Sequence, residues 1–175
     1  MTLGTVSSAR AVLWRTERHY ARGMLRRHSP VPAPVLDVRR LDPALPVPTY
    51  AHPGDAGLDL HAADSTTLLP GERALVPCGI AIAIPEAHVG LVHPRSGLAV
   101  DHGLTLLNAP GTIDAGYRGE VKVLLINHGS EPVEVEHGQR IAQLVITPIA
   151  VVDVREVDRL EGTGRGRGGF GSTGR

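Results

Sequence analysis

From Val35 onward the chain consists of short apolar or alternating runs separated by turn residues, a spacing typical of a β-sandwich or barrel. Turn signals such as Pro70-Gly71 and His137-Gly138 lie between the runs. No stretch keeps the helical period of about 3.6 residues for long, apart from one short helix at most. The predicted strands are Val35–Arg39, Gly57–Ala62, Arg73–Val76, Gly79–Ile84, Val89–His93, Leu104–Asn108, Glu120–Ile126, Pro132–Val135 and Arg140–Val154, the last with a break near Pro148. The pattern predicts an all-β fold with a jelly-roll-like double sheet.

The two ends of the chain depart from this pattern. Residues 1–36 carry six arginines against one acid, Glu17, and the apolar Val6, Leu13 and Met24 fall near one helical face. We predict that residues 1–34 form a dispensable basic extension, helical or disordered, with a membrane-surface helix or a transit peptide as the alternative. Residues 161–175 are too rich in glycine to pack and are predicted to form a flexible arm. Residues 35–160 remain as the β domain.

Composition narrows the class of protein. The 175 residues include 18 basic and 18 acidic side chains, and a net charge of +0 argues against a globally basic nucleic-acid binder. Aromatic residues make up only 3% of the chain, so the core must consist of Val, Ile, Leu and Ala. The single cysteine, Cys78, excludes an intrachain disulfide framework and a zinc site with several thiolates. No apolar run approaches the roughly 18 residues of a spanning helix, so we expect a soluble cytoplasmic protein with no membrane partner.

The segment HPRSGLAV brings three chemically distinct residues directly after a predicted strand. Arg95 has a planar guanidinium that suits phosphate oxygens, and Ser96 adds a hydroxyl donor. Gly97 allows a ligand to approach the backbone closely. The segment indicates a phosphate site, and an ordinary turn with a solvated arginine is the alternative.

A second segment, NAPGTIDAGYRGEVKV, predicts a hairpin crowded with functional groups. Its backbone and the Asn108 amide are suited to present donors and acceptors to the edge of a base. Asp114 lies among small residues, where a general base has access to substrate. The flat ring of Tyr117 suits the face of a sugar. A capped hairpin whose Asn and Asp serve the turn is the alternative, but the convergence of so many groups favours a site.

Two strands and the arm carry further candidate residues. Asp59 in GLDLHAAD and Gln143 in RIAQLVI are suited to hold metal-bound water and phosphate, or they are satisfied core polar groups. In the arm, Arg165 supplies charge, Phe170 supplies a ring that suits stacking on a base, and glycine amides with Ser172 supply phosphate donors. A disordered tail or an RGG-type RNA-binding segment is the alternative for the arm.

In this order the segments closely resemble the five motifs of the trimeric deoxyuridine triphosphatase (dUTPase) family, in particular its actinobacterial members. The motifs are AGLDLHAAD, PRSGLA, NAPGTIDAGYRGEVKV, RIAQLV and RGRGGFGSTG, and they span residues 56–174. The resemblance implies a dUTPase-like jelly-roll (β-clip) homotrimer with three active sites at subunit interfaces. It also implies Mg²⁺-dependent hydrolysis of dUTP to dUMP and pyrophosphate, which limits uracil in DNA and supplies dUMP for thymidylate synthesis.

The resemblance further implies roles for the residues of the hairpin. Asp114 is similar to the family's base, which orients water onto the α-phosphorus. Tyr117 is similar to the ring that packs under the deoxyribose and excludes a 2′-hydroxyl. The positions similar to the family's uracil-recognition groups are the side chain of Asn108 and the backbone of Gly111, Thr112, Ile113 and Asp114.

The remaining motifs resemble the family's phosphate and metal contacts. Asp59 is similar to the acid that holds Mg²⁺ through water while the metal rides on the triphosphate, and Lys122 to a lysine near the substrate. The positions similar to phosphate contacts are Arg95, Ser96, Gly97 and Gln143. The positions similar to the closing arm, which grips the γ-phosphate and stacks on uracil, are Arg165, Phe170, Gly171 and Ser172.

Two other readings of the same motifs stay open. A dCTP deaminase, or a bifunctional dCTP deaminase and dUTPase, shares the fold and part of the motif sequences. The Tyr117 hairpin and the complete arm nevertheless favour a dUTPase. A catalytically idle trimeric nucleotide-binding module is a different class, against which the intact Asp114 argues.

Overall fold

The computed structural model describes residues 33–169. The N-terminal extension up to residue 32 lies outside the described residues, as do Phe170, Gly171 and Ser172 of the arm. The expectations for these segments therefore remain predictions.

Within residues 33–169 the chain forms ten strands and one short helix. The strands are β1 (Asp37–Arg40), β2 (Leu58–His61), β3 (Thr66–Leu68), β4 (Arg73–Ala83), β5 (His88–Pro94), β6 (Leu104–Leu106), β7 (Gly111–Asp114), β8 (Glu120–Asn127), β9 (Val133–Val135) and β10 (Arg140–Pro148). The helix α1 (Ser96–His102) lies between β5 and β6 and ends at Gly103, which adopts the left-handed conformation with φ 67°.

Eight of the strands form two four-stranded sheets, and every pairing is antiparallel. The first sheet has the order β1-β4-β8-β6 and the second the order β2-β10-β5-β7, while β3 and β9 form a small separate ladder. Consecutive strands along the chain thus fall in different sheets. The predicted all-β fold with a double sheet is confirmed.

The core between the sheets follows from the alternation of apolar and polar residues along the strands. In β8, Val121, Val123 and Leu125 are buried, whereas Lys122 between them is exposed. The largest fully buried side chains are all aliphatic, as the scarcity of aromatic residues predicts. Each such side chain contributes about 1.5–3 kcal/mol when it is removed from water, so the fold is stabilised by many moderate contributions.

The predicted strands differ from the observed ones in four places. The runs Arg73–Val76 and Gly79–Ile84 form the single strand β4, in which a register shift against β8 absorbs the irregularity between Pro77 and Ala81. Strand β3 has only three residues, too few for a pattern to reveal it. The prediction of a hairpin over NAPGTIDAGYRGEVKV is wrong: β7 pairs with β5, whereas β8 pairs with β4 and β6 in the other sheet. The prediction of a strand continuing to Val154 is also wrong: β10 ends at Pro148, and the residues beyond it have no partner strand among residues 33–169.

Asn127 is the one buried polar residue among residues 33–169, with 0% of its surface exposed. Its Nδ2 donates to the carbonyls of Leu68 (2.9 Å) and Glu131 (2.8 Å), and its Oδ1 accepts from the amide of Gly129 (2.8 Å). The sequence ₁₂₇NHG₁₂₉ predicts only a turn. In the structure, hydrogen bonds of the Asn127 side chain link the end of β8 to β3 and to the following loop.

Candidate active site

A groove of about 640 Å³ lies on the outer face of the second sheet, beside the start of α1. Alternation along β2 and β10 explains its lining: Leu58, Leu60 and Leu144 are buried in the core, whereas Asp59 and Gln143 project to the other side. Asp59 and Gln143 are direct partners in the β2–β10 ladder. Residues that contribute charge or hydrogen-bonding groups to the groove are Asp55, Asp59, Arg95, Ser96, Asp101, Gln139, Arg140 and Gln143.

The carboxylate of Asp59 is held by two guanidinium groups. Nη1 of Arg95 donates to Oδ1 at 2.8 Å, and Nη1 of Arg140 donates to Oδ2 at 3.1 Å. The Asp59 side chain is only 17% exposed, so the pairing is partly shielded from solvent. Arg140 is a residue of the groove that sequence reasoning missed. Its only signal was its place at the head of RIAQLV, and nothing in the sequence connects it to Asp59, 81 positions away.

The rest of the groove is fixed by backbone contacts. Nε2 of Gln143 donates to the carbonyl of Pro94 at 3.2 Å, which ties β10 to the residue just before Arg95. Gly57 leaves the space that the Gln143 carboxamide occupies, because a Cβ at residue 57 would lie 2.6 Å from Oε1. Ser96 and Gly97 are exposed in the first turn of α1. The structure thus brings together five predicted residues: Asp59, Arg95, Ser96, Gly97 and Gln143.

A second, smaller cavity of about 70 Å³ lies where β7 approaches β8. The predicted residues that line it are Asn108, Gly111, Thr112, Ile113 and Lys122. Gly111 pairs with Val92 of β5, and the peptide bond between Ala109 and Pro110 is cis. The exposed Lys122 has Glu120 as a distant ion-pair partner, with Nζ and Oε2 4.0 Å apart.

The turn after β7 orients Asp114 and Tyr117. The amide of Tyr117 donates to the carbonyl of Asp114 at 3.0 Å, and the Tyr117 hydroxyl donates to the carbonyl of Glu120 at 2.9 Å. Arg118 ties the turn further, because its Nη1 donates to the carbonyls of Ala115 (2.6 Å) and Tyr117 (2.7 Å). The exposed carboxylate of Asp114 has no hydrogen-bond or ion-pair partner within residues 33–169.

The groove and the segment 108–117 do not form one site within a single chain. Asp114 pairs with Val89 at one end of β5, whereas Arg95 follows the other end. At about 3.3 Å per residue the six steps from Val89 to Arg95 separate the two ends by about 20 Å. The groove and the small cavity also share no lining residue.

The described part of the arm consists of local turns. The amide of Gly166 donates to the carbonyl of Thr163 at 3.0 Å, and the amide of Gly168 donates to the carbonyl of Arg165 at 3.0 Å. Nε of Arg165 donates to the carbonyl of Gly168 at 3.0 Å, and the side chain is otherwise exposed. Arg165 therefore does not contact the groove of its own chain.

Two further findings concern the part of the chain that the structure describes. No group of three His, Cys, Asp or Glu side chains there is arranged to hold a metal ion. None of its helices has the length and apolar character needed to cross a membrane.

Comparisons with known proteins agree with this architecture. The dUTPase family model matches residues 44–174. The chain is 56% identical over 147 residues to the deoxyuridine 5′-triphosphate nucleotidohydrolase of Nocardia farcinica, covering 83% of this chain and 86% of that protein. It is 59% identical over 140 residues to the protein of the same name from Thermobifida fusca, covering 79% and 78%.

Solved structures lead to the same family. A mutant of the Staphylococcus bacteriophage 80alpha dUTPase, solved with dUpNHpp, superposes with a TM-score of 0.75 and 31% identity, covering 81% of this chain and 99% of that one. A mutant dUTPase from phage phi11 of S. aureus, described for its coordination of a structural Mg(II) ion, has a TM-score of 0.66 and 29% identity, covering 71% and 97%. On its motifs, its fold and these matches, the chain belongs to the dUTPase family.

Proposed function

We propose that this chain hydrolyses dUTP to dUMP and pyrophosphate, with Asp114 as the general base. The assignment of Asp114 as the base rests on a contrast between two carboxylates. Asp59 is bound by two guanidinium groups, whereas the carboxylate of Asp114 has no partner within residues 33–169. An unpaired carboxylate at an exposed strand end is available to accept a proton from an attacking water, and a doubly paired one is not. The reaction limits uracil in DNA and supplies dUMP.

The segment 108–117 and the groove divide recognition of the nucleotide between them. The side chain of Asn108 and the backbone from Gly111 to Asp114 are suited to bind the uracil edge, and Tyr117 is suited to pack against the deoxyribose. In the groove, Arg95 and the exposed first turn of α1 offer donors to phosphate oxygens. Arg165, Phe170, Gly171 and Ser172 of the arm are proposed to close over the bound triphosphate.

The residues of the groove fit a Mg²⁺ ion that the substrate brings with it. No protein cluster within residues 33–169 is built to hold a metal alone, and Mg²⁺ binds well through phosphates, waters and one carboxylate. Asp59 is the carboxylate that would reach the ion through water. Three acidic and two basic side chains line the groove, so the groove itself does not neutralise a triphosphate. The metal would supply that charge neutralisation, and Arg165 would add to it.

Each active site is proposed to be shared between subunits of a homotrimer. The separation of about 20 Å between Asp114 and Arg95 supports this, because one triphosphate bound in one chain does not reach both. The segment after β10 gives a second argument, since Val151, Val152 and Val154 are 84%, 72% and 94% exposed. Exposed apolar side chains in a segment without a partner strand among residues 33–169 are suited to pack on another copy of the chain. We also propose a cytoplasmic location, where the nucleoside triphosphate pool is found.

Pyrophosphate release tests the reaction. We expect Mg²⁺-dependent release from dUTP and little from dCTP, dTTP or UTP. Asp114→Asn should slow turnover of dUTP by about 10²–10⁴-fold, since a positioned base contributes that much, while binding of dUpNHpp is retained. Asp37→Asn, which changes an exposed carboxylate at the start of β1 outside the five motifs, is the matched control. Normal turnover by Asp114→Asn would exclude it as the base, and deamination of dCTP would point to the related deaminase.

Mixed trimers test whether the site is shared. Subunits with Asp114→Asn and subunits with Arg95→Ala should each be nearly inactive alone. If the two residues act from different chains, refolding the variants together should restore a fraction of the activity, because some sites then combine an intact Asp114 with an intact Arg95. The absence of any recovery in trimers that have demonstrably mixed would contradict the shared site.

A further inference from the structure

The ring of Tyr117 lies against the backbone of Gly119 with no space for a side chain between them. A Cβ built on Gly119 would lie 2.6 Å from Cζ and 3.0 Å from Cε2 of Tyr117, and it would also meet the phenolic oxygen. Carbon atoms in favourable contact are about 3.5–4.0 Å apart. A side chain at residue 119 and the observed position of the ring therefore exclude each other.

The backbone gives no other reason for a glycine at this position. The φ angle of Gly119 lies outside the left-handed region, whereas Gly103 and Gly138 have φ angles of 67° and 83°. The φ angle of residue 119 therefore does not disfavour alanine. The three nearest atoms that a Cβ at residue 119 would meet all belong to Tyr117.

The ring is also fixed at both of its ends. Its hydroxyl donates to the carbonyl of Glu120 at the start of β8, and the Tyr117 amide donates to the carbonyl of Asp114. The hydroxyl ties the phenol end of the ring to the sheet, and the amide ties the backbone of Tyr117 to the turn. The contact with Gly119 then sets the position of the ring. Tyr117 is nevertheless 45% exposed, so part of the ring surface remains open to a ligand.

We propose that Gly119 is a positioning residue for Tyr117 and that it thereby sets the discrimination between deoxyribose and ribose nucleotides. This inference rests on the proposed function, in which the Tyr117 ring packs against the deoxyribose. An alanine at residue 119 pushes the ring either towards the sugar or away from it. The first displacement reduces the fit of dUTP and of UTP alike, whereas the second makes room for a 2′-hydroxyl. Only the second lowers the preference for dUTP over UTP, and it is the displacement to which the proposal commits.

A double-mutant cycle in the full chain tests this role. The ratio of kcat/KM for dUTP to kcat/KM for UTP is measured for the parent, Gly119→Ala, Tyr117→Ala and the double variant. We expect Gly119→Ala to lower the ratio by about tenfold or more, the lower range of what a steric change in a pocket produces. In the Tyr117→Ala background the same substitution should leave the ratio unchanged, because the ring through which it acts is gone.

Gly116→Ala is the matched control in the same turn. A Cβ at residue 116 meets nothing within 4 Å, and its φ also lies outside the left-handed region, so the ratio should stay at the parent value. Thermal melting reports folding of each variant. If Gly119→Ala does not fold but the double variant does, the ring is confirmed as the obstacle. If both fail to fold, Gly119 is needed for another reason and the proposal is overturned.

The outcomes separate this inference from the proposed function. A parent enzyme that does not hydrolyse dUTP, or a Tyr117→Ala variant with an unchanged ratio, would refute the proposed function or the sugar contact. A lowered ratio in Tyr117→Ala together with a parent ratio in Gly119→Ala would refute the role of Gly119 alone. An equal effect of Gly119→Ala with and without the ring would also refute it.

Discussion

Replacing Asn127 by alanine should destabilise the domain more than any other single removal of a polar side chain within residues 33–169. The substitution leaves the carbonyls of Leu68 and Glu131 and the amide of Gly129 without their side-chain partner. An unsatisfied buried group costs about 1–3 kcal/mol, and a bond that water replaces costs about 0.5–1.5 kcal/mol. The contact with Leu68 is fully buried and the other two are partly buried. One contact of the first kind and two of the second sum to about 2–6 kcal/mol.

Urea denaturation at fixed protein concentration measures this loss. We expect a lower midpoint with an unchanged m-value, because the surface exposed on unfolding stays the same. Asn108→Ala is the matched control, since Asn108 is exposed and its amide makes no side-chain hydrogen bond within residues 33–169. It should leave stability nearly unchanged while weakening dUTP binding. A loss below about 1 kcal/mol for Asn127→Ala would refute the additive treatment of the three contacts.

Two further predictions concern titratable groups. Burial, with a smaller contribution from the charge of Glu120, raises the pKa of the Cys78 thiol to about 12. At pH 8 a thiol-specific disulfide reagent should therefore react with Cys78 slowly in the folded protein and rapidly after denaturation; fast reaction in the folded state would contradict its burial. The hydrogen bond from His137, at 2.8 Å, lowers the pKa of Asp42 below its usual value of 3.8. Because the folded pKa is the lower one, this stabilisation is complete above about pH 4 and is lost as the pH falls through the folded pKa. The stability difference between the parent and Asp42→Asn should shrink there, and a constant difference down to pH 2 would disprove the linkage.

Most of the fold could be predicted from the alternation of apolar and polar residues along the strands. In β8 and β10 every second residue is apolar over most of the strand, so both the strands and their buried faces follow from the sequence. Helix α1 has seven residues and buries none of them, so it has no apolar stripe for periodicity to detect. The continuation of the last strand to Val154 was predicted because isoleucine and valine favour strands. A strand also needs a partner for its backbone, and residues 33–169 supply none there.

Part of the candidate site can likewise be predicted from residues that are adjacent in sequence, whereas another part depends on contacts between residues that are far apart in sequence. Arg95, Ser96 and Gly97 are adjacent in sequence and stay together in the fold, as do Asp114 and Tyr117. The ion pair of Arg140 with Asp59 depends on the β2–β10 register, which no local pattern specifies. The contact of the Tyr117 ring with Gly119 depends on the rotamer of the side chain, which the sequence likewise does not specify.

The position of β10 within the second sheet has a consequence for the order in which the protein forms. Strand β10 is bonded on one side to β2, about 80 positions earlier, and on the other side to β5. During synthesis the backbone groups of β2 therefore lack their partner until residue 144 has been made. Pairings so distant in sequence fold slowly, in milliseconds to seconds, because a large loop must close before the contact is gained. The groove, whose walls are β2 and β10, is accordingly among the last features to assemble, and the nascent chain presents an open sheet edge until then.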